Sequence, residues 1–247
     1  MITLAFDSTA KTASCALCDG ERLIGVLNVD NGLTQSELLL PMAEDVLRAA
    51  KLSFSDVELL ACSVGPGSFT GVRIGAALVK GLAFAKSTPC AAVSTLEALA
   101  ENLSGLKGIF VPVMDARRAQ VYTAIFHSNG SSYERVTEDS AISLTELAAA
   151  LRSYSDAGEP IYLVGDGYKV AERALVDAGV RLETTPELLR AQNAYSIAKI
   201  ALRQHELGLT VTERELKPTY LRLPQAERER LERNKENDNK KEGSQND

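Results

Sequence analysis

Gly65-Pro66-Gly67-Ser68-Phe69-Thr70-Gly71-Val72-Arg73-Ile74-Gly75 is the stretch around which the rest of the chain can be organised. Before it, VELLACSVG (57–65) is an apolar run of strand length, and after it the residues from Val72 to about Lys86 read as a helix. The glycine-rich turn makes the whole a strand, turn and helix unit, the building block of an α/β fold. Its early glycines permit positive φ and close backbone approach, and a helix start offers free amides that could hold an anion. Spacing nevertheless excludes the familiar chemistries. No Gly-Lys-Ser/Thr ending supplies a phosphate lysine, Gly-x-Gly-x-x-x-Gly is not the dinucleotide fingerprint, and Ser68 does not sit in a Gly-x-Ser-x-Gly elbow. A tight structural turn is the leading reading, with anion or partner contact as the alternative.

The helix that follows is more informative. Between Val72 and Ala85 only Arg73 and Lys80 are charged, and at about 100° per residue they share one narrow stripe. A helix apolar over most of its circumference must be covered on two sides. Its own sheet can cover one. Gly75, Ala76, Ala77, Gly81, Ala83 and Ala85 leave shallow walls against which a second helix could come close. That second helix is either the chain's own segment 35–50 or one offered by another protein.

Outward from this unit, ITLAFDST (2–9), SCALC (14–18) and RLIGVLNVD (22–30) read as a three-stranded meander, its second turn marked by Asp19-Gly20. Thr34 and Glu37 form a capping-box signature for a helix running to about Ala50, with Pro41 near its start. A strand near Cys90–Val93, a helix over 94–102 and a glycine-containing link at 104–108 complete a first unit. Strands at 108–117, 119–128 and about 133–142 then begin a second one. A helix at 144–153, a strand at 160–167 and helices at 168–178 and 193–206 finish it. Two successive units of meander, helix, strand and helix suggest a duplicated design of the ribonuclease-H-like kind. The expected division is 1–104 for the first lobe with 207–223 packing back on it, 105–206 for the second, and 224–247 as a disordered charged tail.

The chain has 247 residues with a net charge of −6 and an isoelectric point near 5.2, so overall electrostatics do not pull it toward nucleic-acid phosphates. No apolar run reaches membrane-spanning length and no secretory leader is read at the start, so a cytoplasmic protein is expected. Cys15, Cys18, Cys62 and Cys90 are too few and scattered for a disulfide framework. Cys15 and Cys18, three apart on a strand, should face opposite ways. The two histidines, His127 and His205, make no zinc or triad pattern. Asp7-Ser8-Thr9 closes the first strand where actin-like ATPases and sugar kinases place a metal-linked acid and phosphate-binding hydroxyls. The candidates for such a nucleotide site are Asp7, Ser8, Gly67 and Ser68, with Val164-Gly165-Asp166-Gly167 the nearest second acidic loop. Asp115-Ala116-Arg117 reads either as a charged hairpin turn or as a tie across the cleft between lobes.

Taken in order, Phe6-Asp7-Ser8-Thr9, Leu39-Leu40-Pro41, GPGSFTGVRIG (65–75), Val93-Ser94-Thr95-Leu96-Glu97, DARRAQVY (115–122) and Pro218-Thr219-Tyr220-Leu221-Arg222 resemble the TsaB (YeaZ) family over residues 1 to about 223. The resemblance implies an α/β actin-like ATPase and sugar-kinase (ASKHA) fold of two ribonuclease-H-like lobes, the second reduced. It implies a non-catalytic partner subunit in bacterial synthesis of threonylcarbamoyl-adenosine in tRNA, working with a metal-bearing TsaD-like paralogue and a TsaE-like ATPase. The paralogue's His-x-x-x-His motif is missing here, which counts against a peptidase. No cofactor of its own is implied; ATP or ADP is left to the complex, and tRNA is met only indirectly. The family's pairing surface maps onto the helices at 35–50 and 72–86, giving Leu39, Met42, Val46, Arg73, Ile74, Ala77, Lys80 and Gly81 as the expected interface. Self-association of the free chain through the same helices is a further expectation, and an ATPase or small-molecule kinase using Asp7 and the GPGSFTG loop is the alternative function. Many relatives carry a histidine where this chain has Gln35.

Overall fold

The structure, a computed structural model, describes residues 1–117 and 119–222. The expected charged tail at 224–247 lies outside the described residues. In the first lobe β1 (Ile2–Asp7), β2 (Ala13–Asp19) and β3 (Arg22–Val29) form the antiparallel meander, with Gly20 at φ +58° in the turn between the last two. Helix α1 (Gln35–Ala49) begins at Thr34, where the Glu37 carboxylate accepts from the Thr34 amide at 3.1 Å and from its hydroxyl at 3.0 Å. Pro41 is accommodated on the exposed side of this helix, which continues through it. β4 (Leu59–Gly65) is buried along its whole length, as a central parallel strand covered on both faces must be. α2 (Phe69–Phe84) starts three residues earlier than hydropathy indicates, because the Ser68 hydroxyl caps it by accepting from the Gly71 amide at 3.2 Å. β5 (Cys90–Ser94) and α3 (Thr95–Glu101) close the lobe, and the strand order is β3-β2-β1-β4-β5 with β4 and β5 parallel to β1.

The second lobe repeats the plan in reduced form. β6 (Lys107–Asp115) pairs with β7 (Gln120–Thr123) and β8 (Phe126–Asn129) in a single register, so the two are one strand interrupted at Ala124 and Ile125. The interruption has a cause: the Ile125 amide donates to the Thr137 hydroxyl at 2.8 Å, and the Ile125 carbonyl accepts from Val136 and Thr137 instead of joining the ladder. The third strand of the meander is split in the same place, into β9 (Tyr133–Arg135) and β10 (Ser140–Ser143). After α4 (Leu144–Ala157), β11 (Ile161–Val164) lies parallel to β6 and is followed by α5 (Tyr168–Asp177). Where the first lobe has β5, this lobe has a single parallel bridge between Tyr162 and Glu183. Here the sheet is cut back. A short α6 (Glu187–Arg190) and the longer α7 (Ala194–Glu206) follow.

One expectation is corrected. Chain order places the segment 193–206 in the second lobe, but α7 packs Ala194, Ile197, Ala198, Ile200 and Ala201 onto Ala5, Ala16, Leu59, Ala61, Ala91 and Val93 of the first sheet. Small residues on both surfaces let the helix lie close, which selects this sheet. The first sheet is thereby covered by α1 and α2 on one face and by α7 on the other. α3 wedges between the lobes, its Leu96, Leu99 and Ala100 packing with Phe110, Met114, Phe126 and Val164.

A polar network seals the same junction. Glu101, almost wholly buried, accepts from Arg203 at 2.7 Å and from the Tyr133 hydroxyl at 2.8 Å and pairs with Lys199. Burial works to raise the pKa of this carboxyl, but Arg203 and Lys199 bring it below its ordinary value.

Candidate functional site

A cleft of about 600 Å³ opens between the lobes. Thr9, Gly67, Ser68, Phe69 and Thr70 line it from the first lobe, and Met114, Asp115, Tyr122 and Asp166 from the second. Thr219 to Arg222 run along it as a strap. The Thr219 amide donates to the Val64 carbonyl at 2.7 Å, and Arg222 donates to the Ala116 carbonyl at 2.8 Å, so the strap is tied to both lobes.

The nucleotide candidates divide here. Gly67 and Ser68 line the cleft; Asp7 and Ser8 lie beneath it, each about 1% exposed. One Asp7 oxygen accepts from the Thr9 amide at 2.8 Å and hydroxyl at 2.7 Å, and the other accepts from Ser63 at 2.8 Å. Burial raises the pKa of this carboxyl, with those three donors opposing. Its oxygens are thus used to pin the strand end to β4. Ser8 donates to the Gly71 carbonyl at 2.7 Å, and the Ser68 amide donates to the Thr9 carbonyl at 2.7 Å. The glycine turn and the Asp7-Ser8-Thr9 turn are therefore pressed backbone to backbone. A Cβ on Gly67 would come within 2.6 Å of the Thr9 carbonyl oxygen, and one on Gly71 within 1.9 Å of that of Ser8. Close approach, as in the structural reading of the turn, is what these glycines supply.

Across the cleft, Asp115 accepts from the Arg117 amide at 2.7 Å, closing the β6–β7 turn in which Arg117 has φ +62°. Asp166 reaches solvent at the cleft mouth yet is crowded by protein on most sides. This burial, with the Asp115 charge adding to it, pushes its carboxyl up to about 6 against neighbouring amides that pull it down. Because the folded pKa is raised, the folded chain holds the proton that the unfolded chain has released; the contribution of Asp166 to stability therefore falls as pH rises from about 4 to about 6 and is level above. An Asp166→Asn chain is expected to lack this fall, seen as a flatter denaturation midpoint over that range. Matching wild-type and variant profiles would refute it.

The expected pairing residues also divide. Leu39, Met42 and Val46 are 1%, 5% and 6% exposed and belong to the protein's own core beneath α1. Their spacing marks an inward stripe, and the outer side of α1 carries Glu37, Leu40, Glu44 and Arg48 instead. On α2, by contrast, Arg73, Ala77 and Gly81 are exposed, with Ile74 and Lys80 half-buried. The same stripe ends at Phe84, which is 71% exposed. Phe84 lies outside the expected set, although the helical step from Arg73 through Ala77 and Gly81 leads to it. Nothing in the sequence signals that Tyr220 joins this surface: its hydroxyl accepts from Arg73 Nε at 2.9 Å.

The four cysteines are buried, with Cys15 and Cys18 on opposite faces of the first sheet. Burial raises all four thiol pKa values, those of Cys18 and Cys90 to about 11. No group of three potential metal ligands occurs among the described residues. No helix among them is long and apolar enough to cross a membrane.

Comparison with known proteins converges on one family. The family model described as TsaD, tRNA N6-adenosine threonylcarbamoyltransferase, matches residues 33–230. The tRNA threonylcarbamoyladenosine biosynthesis protein TsaB of Bacillus subtilis (strain 168) is 30% identical over 95% of this chain and 100% of its own length. The protein of that name from Escherichia coli (strain K12) is 31% identical over 90% and 95%. Among solved structures, YeaZ from Pseudomonas aeruginosa superposes with a TM-score of 0.73 at 25% identity, covering 89% of this chain and 99% of that one.

Proposed function

Because the chain belongs to the TsaB family of tRNA threonylcarbamoyladenosine biosynthesis proteins, we propose that it serves that pathway as a non-catalytic subunit which docks a TsaD-type paralogue through the exposed face of α2. The single observation that carries the reading is the stripe of Arg73, Ala77, Gly81 and Phe84, left open on a helix whose other side is committed to the core. Small residues at its centre admit a second helix at short distance, and a cation and an aromatic ring at its ends supply anchors. The internal hydrogen bonds of Asp7 support an architectural role for the acid that a kinase or ATPase of this fold would present to a metal. A TsaE-like ATPase and the tRNA join at the level of the complex, in the cytoplasm, and any ATP or ADP is bound there. The free chain pairs with itself through the same face.

Reconstitution tests this reading. Threonylcarbamoylation of tRNA by the TsaD-type and TsaE-type proteins is expected to require this chain, while the chain alone turns over no ATP above a protein-free blank. Equal modification without it defeats the proposal. So does ATP turnover by the isolated chain that Asp7→Ala removes, which favours the ATPase instead.

A further inference from the structure

We infer that Tyr220 is a positioning residue for this docking face, holding the Arg73 guanidinium so that its two terminal nitrogens point outward to take a carboxylate from the TsaD-type partner. The inference rests on the reading of α2 given above.

Phe69 and Arg73 stand one turn apart on α2, and the Arg73 guanidinium carbon lies 3.8 Å from the centre of the Phe69 ring. Tyr220 arrives from the far end of the chain. Its ring packs on Phe69 with centroids 4.8 Å apart, and its hydroxyl accepts from Arg73 Nε at 2.9 Å. The side chain is therefore fixed from below by one ring and from the side by an acceptor. Tyr220 is itself held. On one side the Thr219 amide donates to the Val64 carbonyl, and the Thr219 carbonyl oxygen lies where a Cβ on Gly65 would be only 2.4 Å away. On the other, Arg222 donates to the Ala116 carbonyl.

With Nε used, the plane of the guanidinium is set and its fork of terminal nitrogens remains. Among the described residues no acid pairs with it. A planar fork of this kind matches a carboxylate with two parallel hydrogen bonds, which a lysine cannot reproduce. An unrestrained arginine loses rotamer freedom when it docks, and one already ordered in the free protein is spared that loss. Tyr220 thus contributes to affinity through the order it imposes on Arg73.

The test is a double-mutant cycle on the full chain, titrated with the purified TsaD-type paralogue and accompanied by thermal unfolding. Arg73→Ala is expected to weaken binding about tenfold or more, and Tyr220→Phe, which keeps the ring and loses only the acceptor, about three- to tenfold. The pair together should be no worse than Arg73→Ala alone, with unfolding temperatures within about 2 °C of wild type. Unchanged affinity in Tyr220→Phe overturns the inference, as do losses that multiply in the double variant. Tyr220→Phe weakening only self-association overturns it too, by placing the carboxylate on a second copy, whose Glu44 and Asp45 are exposed. Ala77→Glu separates the two levels: normal paralogue binding by that variant sinks the docking face itself, whereas lost binding beside a silent Tyr220→Phe sinks only the positioning role.

Discussion

Ala77→Glu is expected to abolish capture of the TsaD-type paralogue and to leave the protein folded. Ala77 is exposed at the middle of the open stripe, so the isolated chain gains a solvated glutamate on a helix, a residue type that helices accept readily. In the proposed complex the same carboxylate would be driven between two closely packed helices without a partner. An uncompensated buried charge costs about 3–5 kcal/mol, which is a loss of more than about 100-fold in affinity. Co-purification and titration give the size of the loss, and circular dichroism with thermal unfolding shows whether the fold is retained. Wild-type affinity would place the interface elsewhere. Truncating Leu39 or Met42 makes the instructive contrast: those side chains are enclosed, so any weakening of binding should follow, and not exceed, the loss of folded protein.

Gly71→Ala is expected to be the most damaging single methyl group in the first lobe. Its Cβ would sit 1.9 Å from the Ser8 carbonyl oxygen and 3.0 Å from the carbonyl carbon. The obstacle is backbone, and that backbone ends β1, whose Asp7 is hydrogen-bonded to Ser63 on β4. The helix cannot withdraw either, since Gly71 gives its amide to Ser68 and its carbonyl to Ser8. Overpacking without relief costs about 3 kcal/mol or more, or a fall of about 6–12 °C in melting temperature for a chain of this size. A melting temperature within about 2 °C of wild type would show that the turn can yield. Gly81→Ala is the control on the same helix. Nothing lies within 4 Å of its Cβ, so helix propensity stabilises the chain by up to about 1 kcal/mol, while the added methyl stands on the proposed docking face.

Much of this architecture was legible because local chemistry and global fold agree. Asp19-Gly20 marks its hairpin, Thr34 and Glu37 their capping box, and the largely apolar run of β4 its place at the centre of a sheet. Periodicity finds the apolar stripe of a helix but not what meets it. Periodicity alone therefore offers the stripe of α1 to a partner, whereas it serves the protein's own core, and chain order alone places α7 in the lobe nearest in sequence. In the second case the small side chains of both surfaces, Ala194, Ala198 and Ala201 against Ala5, Ala16 and Ala91, were a usable signal. The spacing of the glycine turn departs from that of known phosphate loops, yet its tight contact with Ser8 and Thr9 depends on two segments some sixty residues apart. The strap is harder still. A tyrosine that orients an arginine 147 positions away leaves no trace in local pattern.

The late return of α7 to the first sheet also bears on how the chain is made. While the ribosome is still working through the second lobe, the alanine-rich face of β1, β2, β4 and β5 lacks the helix that covers most of it, although every strand of that sheet has already emerged. Release of residues 194–222 then covers that face, adds the bridge of Val211 to Cys90, and lays Thr219 against Val64. The lobe begun first is thus completed last, and a nascent chain stalled before Ala194 exposes an adhesive apolar sheet for chaperones to shield.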